Sequence, residues 1–266
     1  MPDTLVPLRT TGARTPLYCV HSASGSAYSY MPLLPLLDDD QPLYGLEAPG
    51  FEDEDEKPLT TVAELADAHL KAINDNTPSG PVYLLGWSMG GVIGYHMAQR
   101  LRAAGVDVPM LITVDTPVPV PWPFPARRPM VRRFAGDLTG AALLSDQHVL
   151  DDFLAARSED EPIEDTFAAL TDAGLIPVEL DPESLAQRYA VFHANIVALH
   201  VYSPTAGYPG PMVNIHASQS APDEAMGDWS TFSANVTTHV VPGDHYTIWQ
   251  GEGLIALAAV IRDALS

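Results

Sequence analysis

The chain reads as an α/β protein with a mostly parallel central sheet flanked by helices, and three observations predict this. Short continuous apolar runs alternate with amphipathic stretches. One of those runs ends in a serine between glycines and passes straight into helical spacing. The alternation is broken once, by a long segment whose own periodicity is helical.

TPLYCVHS (15–22), PLYGLEAP (42–49), PVYLLGWS (81–88) and PMLITVDTP (109–117) are the first four predicted strands. Each is a brief, nearly continuous apolar run, as expected of a strand covered on both faces. TVAELADAHLKAI (61–73) places Val62, Leu65, Ala66, His69, Leu70 and Ile73 on one helical face. After the serine, Val92, Ile93, Tyr95, Met97, Ala98 and Leu101 predict a helix packed on the sheet. GPMVNIHAS (210–218) and TTHVVPG (237–243) are the last two predicted strands, and GLIALAAVIRDAL (253–265) closes the chain as a helix.

Residues 1–266 are expected to form one domain, with 118–209 as a helical insertion lying over the carboxyl edge of the sheet, where ligands of open α/β sheets bind. The insertion opens on PVPVPWPFP, whose prolines recur at every second residue from Pro117 to Pro125 and hold the chain extended. SDQHVLDDFLAAR (145–157) follows as a helix with Ser145 as its cap candidate. DPESLAQRYAVFHANIVALHVY (181–202) is another, with Asp181 as cap and Pro182 at the first helical position. Leu185, Tyr189, Phe192, Ile196 and Leu199 form one stripe on it, read as core packing.

Composition narrows the function. At 266 residues and 46% hydrophobic content the chain buries a sizeable core, and no apolar run approaches the roughly 20 residues that cross a bilayer. Thirteen basic against 34 acidic residues give a formal charge of −21, which argues against nucleic acid or an anionic membrane surface as partner. The single cysteine, Cys19, lies inside an apolar strand pattern and fits a reducing cytoplasm. The N-terminus lacks the pattern of a signal peptide. The nine histidines show no metal-ligand spacing, and the acidic run EDEDE (52–56) lacks the spacing of a calcium loop, so no metal site is expected.

The chemistry gathers on Gly86-Trp87-Ser88-Met89-Gly90, a G-x-S-x-G pattern between a strand and a helix. Such a turn holds serine in strained backbone angles, and its glycines admit a close strand-to-helix approach. A serine hydroxyl is a poor nucleophile without a base, itself oriented by an acid. In the order of the α/β-hydrolase fold, serine is followed by the acid and then by histidine in the loop before the last helix, and His245 in VVPGDHYTIW occupies that loop. His239 and His216 lie inside strand patterns and read as structural. Two acids compete: Asp115, at the end of the strand after the serine, is preferred over Asp223, which follows a later strand. An oxyanion hole would use the amide of Met89 and one from the small-residue loop HSASG (21–25), with Ala23 as the candidate donor.

CVHSASG, GWSMGG, the strand end TVD and the late GDHYTI together resemble the thioesterase domains that end nonribosomal peptide and polyketide assembly lines, over nearly the whole chain. The resemblance implies that Ser88 takes an acyl or peptidyl chain from the 4'-phosphopantetheine arm of a carrier protein. Water or a nucleophile within the chain then resolves the acyl-enzyme, giving hydrolysis or macrocyclisation, with no bound cofactor. Standalone editing (type II) thioesterases are close relatives, in which Gly-His usually precedes the serine and the acid usually follows the later strand. Gly86-Trp87 and Asp115 therefore favour the chain-terminating type. A general serine esterase on free small esters, with the same triad, and a hydrolase-fold binding protein without catalysis are the competing readings.

Arg127, Arg128, Arg132 and Arg133 concentrate positive charge at the start of the insertion of a strongly acidic chain. They are candidates for docking an acidic carrier or holding the phosphate of its arm. The competing reading pairs them with acids of the insertion such as Asp137, Asp151 or Asp152.

Overall fold

The computed structural model describes residues 4–76, 80–119, 122–139, 147–176, 180–220 and 228–266. Seven strands form one sheet: β1 (Leu5–Arg9), β2 (Leu17–Val20), β3 (Leu43–Leu46), β4 (Tyr83–Trp87), β5 (Leu111–Val114), β6 (Met212–Ala217) and β7 (Val236–Val241), in the order β1-β3-β2-β4-β5-β6-β7. All neighbours are parallel except β1, which pairs antiparallel with β3. β1 (Leu5–Arg9) has no apolar run that marks it as a strand in the sequence. The strand order reverses between β2 and β4, the switch point above whose carboxyl ends open α/β sheets bind their ligands.

Period-two alternation sends each strand's side chains into two cores. Tyr18, Val20, Leu84 and Leu111 point to one face, where α1 (Val62–Asn76) and α2 (Met89–Ala103) cover them. Leu17, Cys19, Leu85, Ile112 and Ile215 point to the other, under α7 (Gly251–Ala264) and a 3-10 turn over Tyr28–Leu33. Burial on both sides explains why the strands read as unbroken apolar runs.

Between β5 and β6 lie α3 (Arg127–Thr139), α4 (Gln147–Ala155), α5 (Ile163–Asp172) and α6 (Pro182–Val201). The described residues of the preceding proline run carry no regular secondary structure. These helices share a third core of Met130, Phe134, Leu154, Phe167, Leu185 and Phe192. Asp181 caps α6 as expected, accepting from the Ser184 amide at 2.9 Å with Pro182 at the first position. Ser145, proposed to cap the preceding helix, lies outside the described residues, as does Asp223. The predicted stripe on α6 divides: Leu185, Phe192 and Ile196 join the insertion's core, whereas Leu199 packs against the α1–α2 face of the sheet. α6 thus joins the insertion to the body.

Candidate active site

The turn at Ser88 has the geometry that its glycines require. Ser88 sits at φ 55° and ψ −128°, a conformation that costs most residues energy. A Cβ on Gly86 would overlap the backbone of Gly90, and one on Gly90 would overlap the carbonyls of Val20 and His21. The strand carrying the serine, its helix and the loop after β2 therefore meet backbone to backbone. Tyr30 fastens the same junction, donating its hydroxyl to the Val20 carbonyl at 2.5 Å and accepting the Trp87 amide at 2.9 Å. Nothing in the local sequence around Tyr30 signals this role, since its partners lie on two strands.

Asp115 follows β5 directly, with φ 45°, and is completely buried. Its Oδ2 lies 2.6 Å from Nδ1 of His245 and accepts the Ser220 hydroxyl at 2.6 Å, while Oδ1 accepts the Ala217 amide at 3.0 Å. Burial alone would raise this carboxyl, but the hydrogen bond and charge of His245, with the Ser220 and Ala217 donors, hold it below the ordinary aspartate value. An ionised Asp115 fixes Nδ1 as the protonated ring nitrogen and leaves Nε2 as the basic one. Ser220 and the Ala217 amide were not singled out in the sequence; they sit on β6 and the turn after it, next to β5.

His245 stands in the loop after β7, and its ring packs against the indole of Trp87, centroids 5.1 Å apart, beside Ser88. Asp244 shapes that loop by accepting the amides of Tyr246 and Thr247 at 2.9 and 2.8 Å. His216 and His239 lie in β6 and β7, where the sequence places them; His239 is exposed. Cys19 is buried in β2, and burial pushes its thiol well up, so it is no nucleophile.

Met89 is the first residue of α2, whose opening amides have no acceptor within the helix. Ala23 lies in the buried loop after β2, closed by the Gly25 amide on the Ser22 carbonyl at 3.1 Å. The buried side chain of Asn195, from α6, donates to the Ala23 carbonyl at 3.0 Å. Ser88, Asp115, His245 and the loop bearing Ala23 all therefore stand at the carboxyl edge of the sheet.

The four arginines lie on α3, which the sequence reading treated as a charge cluster rather than a helix. Arg127 donates to the Glu159 carbonyl at 2.7 Å and to the Thr166 hydroxyl at 3.2 Å. Arg128 pairs with Glu159 at 2.9 Å, and Arg132 with Asp151 at 3.3 Å. Arg133 lies over the Trp122 ring and has no carboxylate partner among the described residues. All four contact the insertion itself, three through hydrogen bonds or ion pairs and Arg133 through an aromatic ring.

Among the described residues no group of side chains has the makings of a metal site, and no helix is long and apolar enough to cross a membrane.

A serine on a strained strand-to-helix turn, above a seven-stranded and mostly parallel sheet, defines the α/β-hydrolase fold. The chain belongs to the thioesterase domain family, whose match covers residues 15–265. Chondramide synthase of Chondromyces crocatus is 30% identical over 275 residues, covering 97% of this chain and 7% of the synthase. The four-domain nonribosomal peptide synthetase AB3403 superposes with a TM-score of 0.85 at 26% identity, over 98% of this chain and 20% of that one. The NocB thioesterase domain, in covalent complex with a fluorophosphonate nocardicin G analogue, superposes with a TM-score of 0.68 at 26% identity over 98% of both chains. The chain spans between 2% and 7% of the length of several curated synthetases it matches.

Proposed function

We propose that this chain is a serine thioesterase releasing an acyl or peptidyl chain from the 4'-phosphopantetheine arm of a carrier protein. The observation that carries the reading is the 2.6 Å bond from His245 to a buried Asp115 at the end of the strand beside that of Ser88. His245 removes the Ser88 proton as the hydroxyl oxygen attacks the thioester carbonyl, and Asp115 stabilises the imidazolium that forms. The amides of Met89 and Ala23 receive the developing oxyanion, in a site where fixed donors act strongly. His245 returns its proton to the departing pantetheine sulfur, leaving an acyl-Ser88. Water or a nucleophile within the acyl chain, deprotonated by the same histidine, then releases the product.

The helices between β5 and β6 act in this reading as a lid over the site, and no bound cofactor is needed. An upstream carrier domain is the partner and the cytoplasm the compartment; the membership of matching relatives in peptide synthetases supports the first. The arginines of α3 assist carrier docking, chiefly through Arg133.

The test is acyl transfer with a panel of acyl groups, each offered on a carrier protein, on pantetheine and as a simple oxygen ester. A thioesterase of this class turns over the carrier-bound form best, and product mass separates ring closure from gain of water. Preference for the simple esters would make the chain a general esterase instead.

A further inference from the structure

The proposed mechanism uses Asp115 as the only acid, yet α3 brings a further carboxylate to the residue next to the same histidine. Asp137 sits near the end of α3, and its Oδ1 accepts the Tyr246 hydroxyl at 3.2 Å. Tyr246 is the residue after His245, and the two rings pack edge to face with centroids 5.2 Å apart. The Ser24 amide, from the loop proposed to hold the oxyanion, also favours the charged form of Asp137. The Oδ2 atom is buried with no hydrogen-bond partner among the described residues. Among the described residues no arginine or lysine pairs with it: on its own helix Arg132 pairs with Asp151 and Arg133 lies over Trp122.

We propose that Asp137 is a positioning residue which, from the insertion, adds a further negative charge beside His245 and so strengthens it as the base when the insertion is seated. The inference rests on His245 being the base. Burial pushes the Asp137 carboxyl up to about 6, opposed by the His245 charge, the Tyr246 hydroxyl and the Ser24 amide. At neutral pH it is still largely ionised, and an anion close to an imidazole favours the imidazolium. Asp137 and His245 therefore titrate as a coupled pair. Among the described residues, Asp115 and Asp244, whose carboxyls are both held low and stay ionised over that range, and Tyr246 also face the histidine. His216, near Asp115, is pushed down by its own burial and is neutral there.

The test is the titration of the His245 imidazole followed by nitrogen NMR, beside the pH profile of kcat/KM on a pantetheine thioester. Asp137→Asn is expected to move both midpoints to lower pH by several tenths of a unit, up to about one, and to reduce kcat more than it raises KM. Tyr246→Phe, which cuts the tie but keeps the charge, is expected to leave the midpoints close to wild type. Asp137→Ser serves if the asparagine variant does not fold. Midpoints unmoved by loss of the charge, or moved equally by Tyr246→Phe, would overturn the proposal. The imidazole titration is read without turnover, so it stands apart from the assignment of the base, which full activity of His245→Ala would refute.

Discussion

Asn195, buried in the middle of α6, donates its side-chain amide to the carbonyl oxygen of Ala23 at 3.0 Å. The bond ties the helical insertion to the loop proposed to form half of the oxyanion hole. Asn195→Ala leaves a buried carbonyl without its donor, expected to cost about 1–3 kcal/mol of stability. If the loop relaxes, kcat should fall by roughly tenfold or more, because small displacements of a catalytic group are costly. Thermal melts with steady-state kinetics decide it. Lost stability with unchanged kcat would mean that the loop is held in place without Asn195.

Asp115→Asn should lower kcat by on the order of 10³ or more, by presenting His245 in the wrong tautomer. Asp223→Asn should have little effect. Ser220→Ala removes one donor to the same carboxylate and should produce a smaller loss, with the Asp115 carboxyl titrating higher. Single-turnover kinetics on a pantetheine thioester measure all three. Reversed effects of the two aspartate variants would assign the acid to the later strand.

The arginines of α3 should separate into two pairs. Replacing Arg127 and Arg128 with serine removes contacts to Glu159, the Glu159 carbonyl, the Arg157 carbonyl and Thr166, and should loosen the insertion without regard to substrate. Replacing Arg132 and Arg133 should lower kcat/KM for a carrier-bound substrate by about tenfold at low ionic strength, with the loss shrinking as salt rises. A small thioester lacking phosphate should be turned over normally. Equal losses on both substrates would remove these arginines from docking.

Acid should destabilise the fold through two histidines in its core. His21 and His69 are completely buried and meet edge to face at 5.1 Å, and neither nitrogen of His69 has a partner among the described residues. Burial lowers His21 from 6.5 to about 4 and pushes His69 well below its usual value, with His21 adding to the latter. The unfolded chain therefore binds protons below 6.5 that the folded chain refuses. Their contribution to stability is whole above 6.5 and declines as pH falls toward 4, by up to about 1.4 kcal/mol per unit for each histidine. Asp137 opposes this, since its carboxyl, raised to about 6, takes a proton in the folded state before it does unfolded. Glu47, whose carboxyl burial also raises, opposes it too. His96, His193 and His216, pushed down by burial, and Asp115, held low by His245 despite its burial, lose stability in the same direction as pH falls, so a net loss remains. Denaturant titrations between pH 4 and 7 should show it, and His69→Leu should flatten the slope. An unchanged slope in that variant would contradict the account.

The sheet was legible because its strands are covered on both faces: LYCV, LYGL, YLLGW and LITV are unbroken apolar runs in sequence and buried strands in space. β1 was missed because an edge strand of five residues containing Pro7 carries no such run. α3 was missed because four arginines and Pro129 mask Met130, Val131, Phe134 and Ala135, whose spacing is helical. Ser88, Asp115 and His245, the proposed triad, stand out in the sequence because each follows a recognisable strand. Tyr30, Asn195 and Asp137 could not, since a hydrogen bond to a residue far along the chain leaves no local pattern.

Whether Ser88 carries the acyl chain is decided by trapping the intermediate. The protein is mixed with a pantetheine acyl thioester, quenched in acid within the first turnover, digested and mapped by mass spectrometry. An acyl adduct is expected on the peptide containing Ser88 and on no other. Ser88→Ala is expected to yield no adduct, with kcat reduced by on the order of 10⁴ or more. An adduct on a peptide without Ser88, or near-wild-type turnover by Ser88→Ala, would contradict the assignment of Ser88 as the nucleophile.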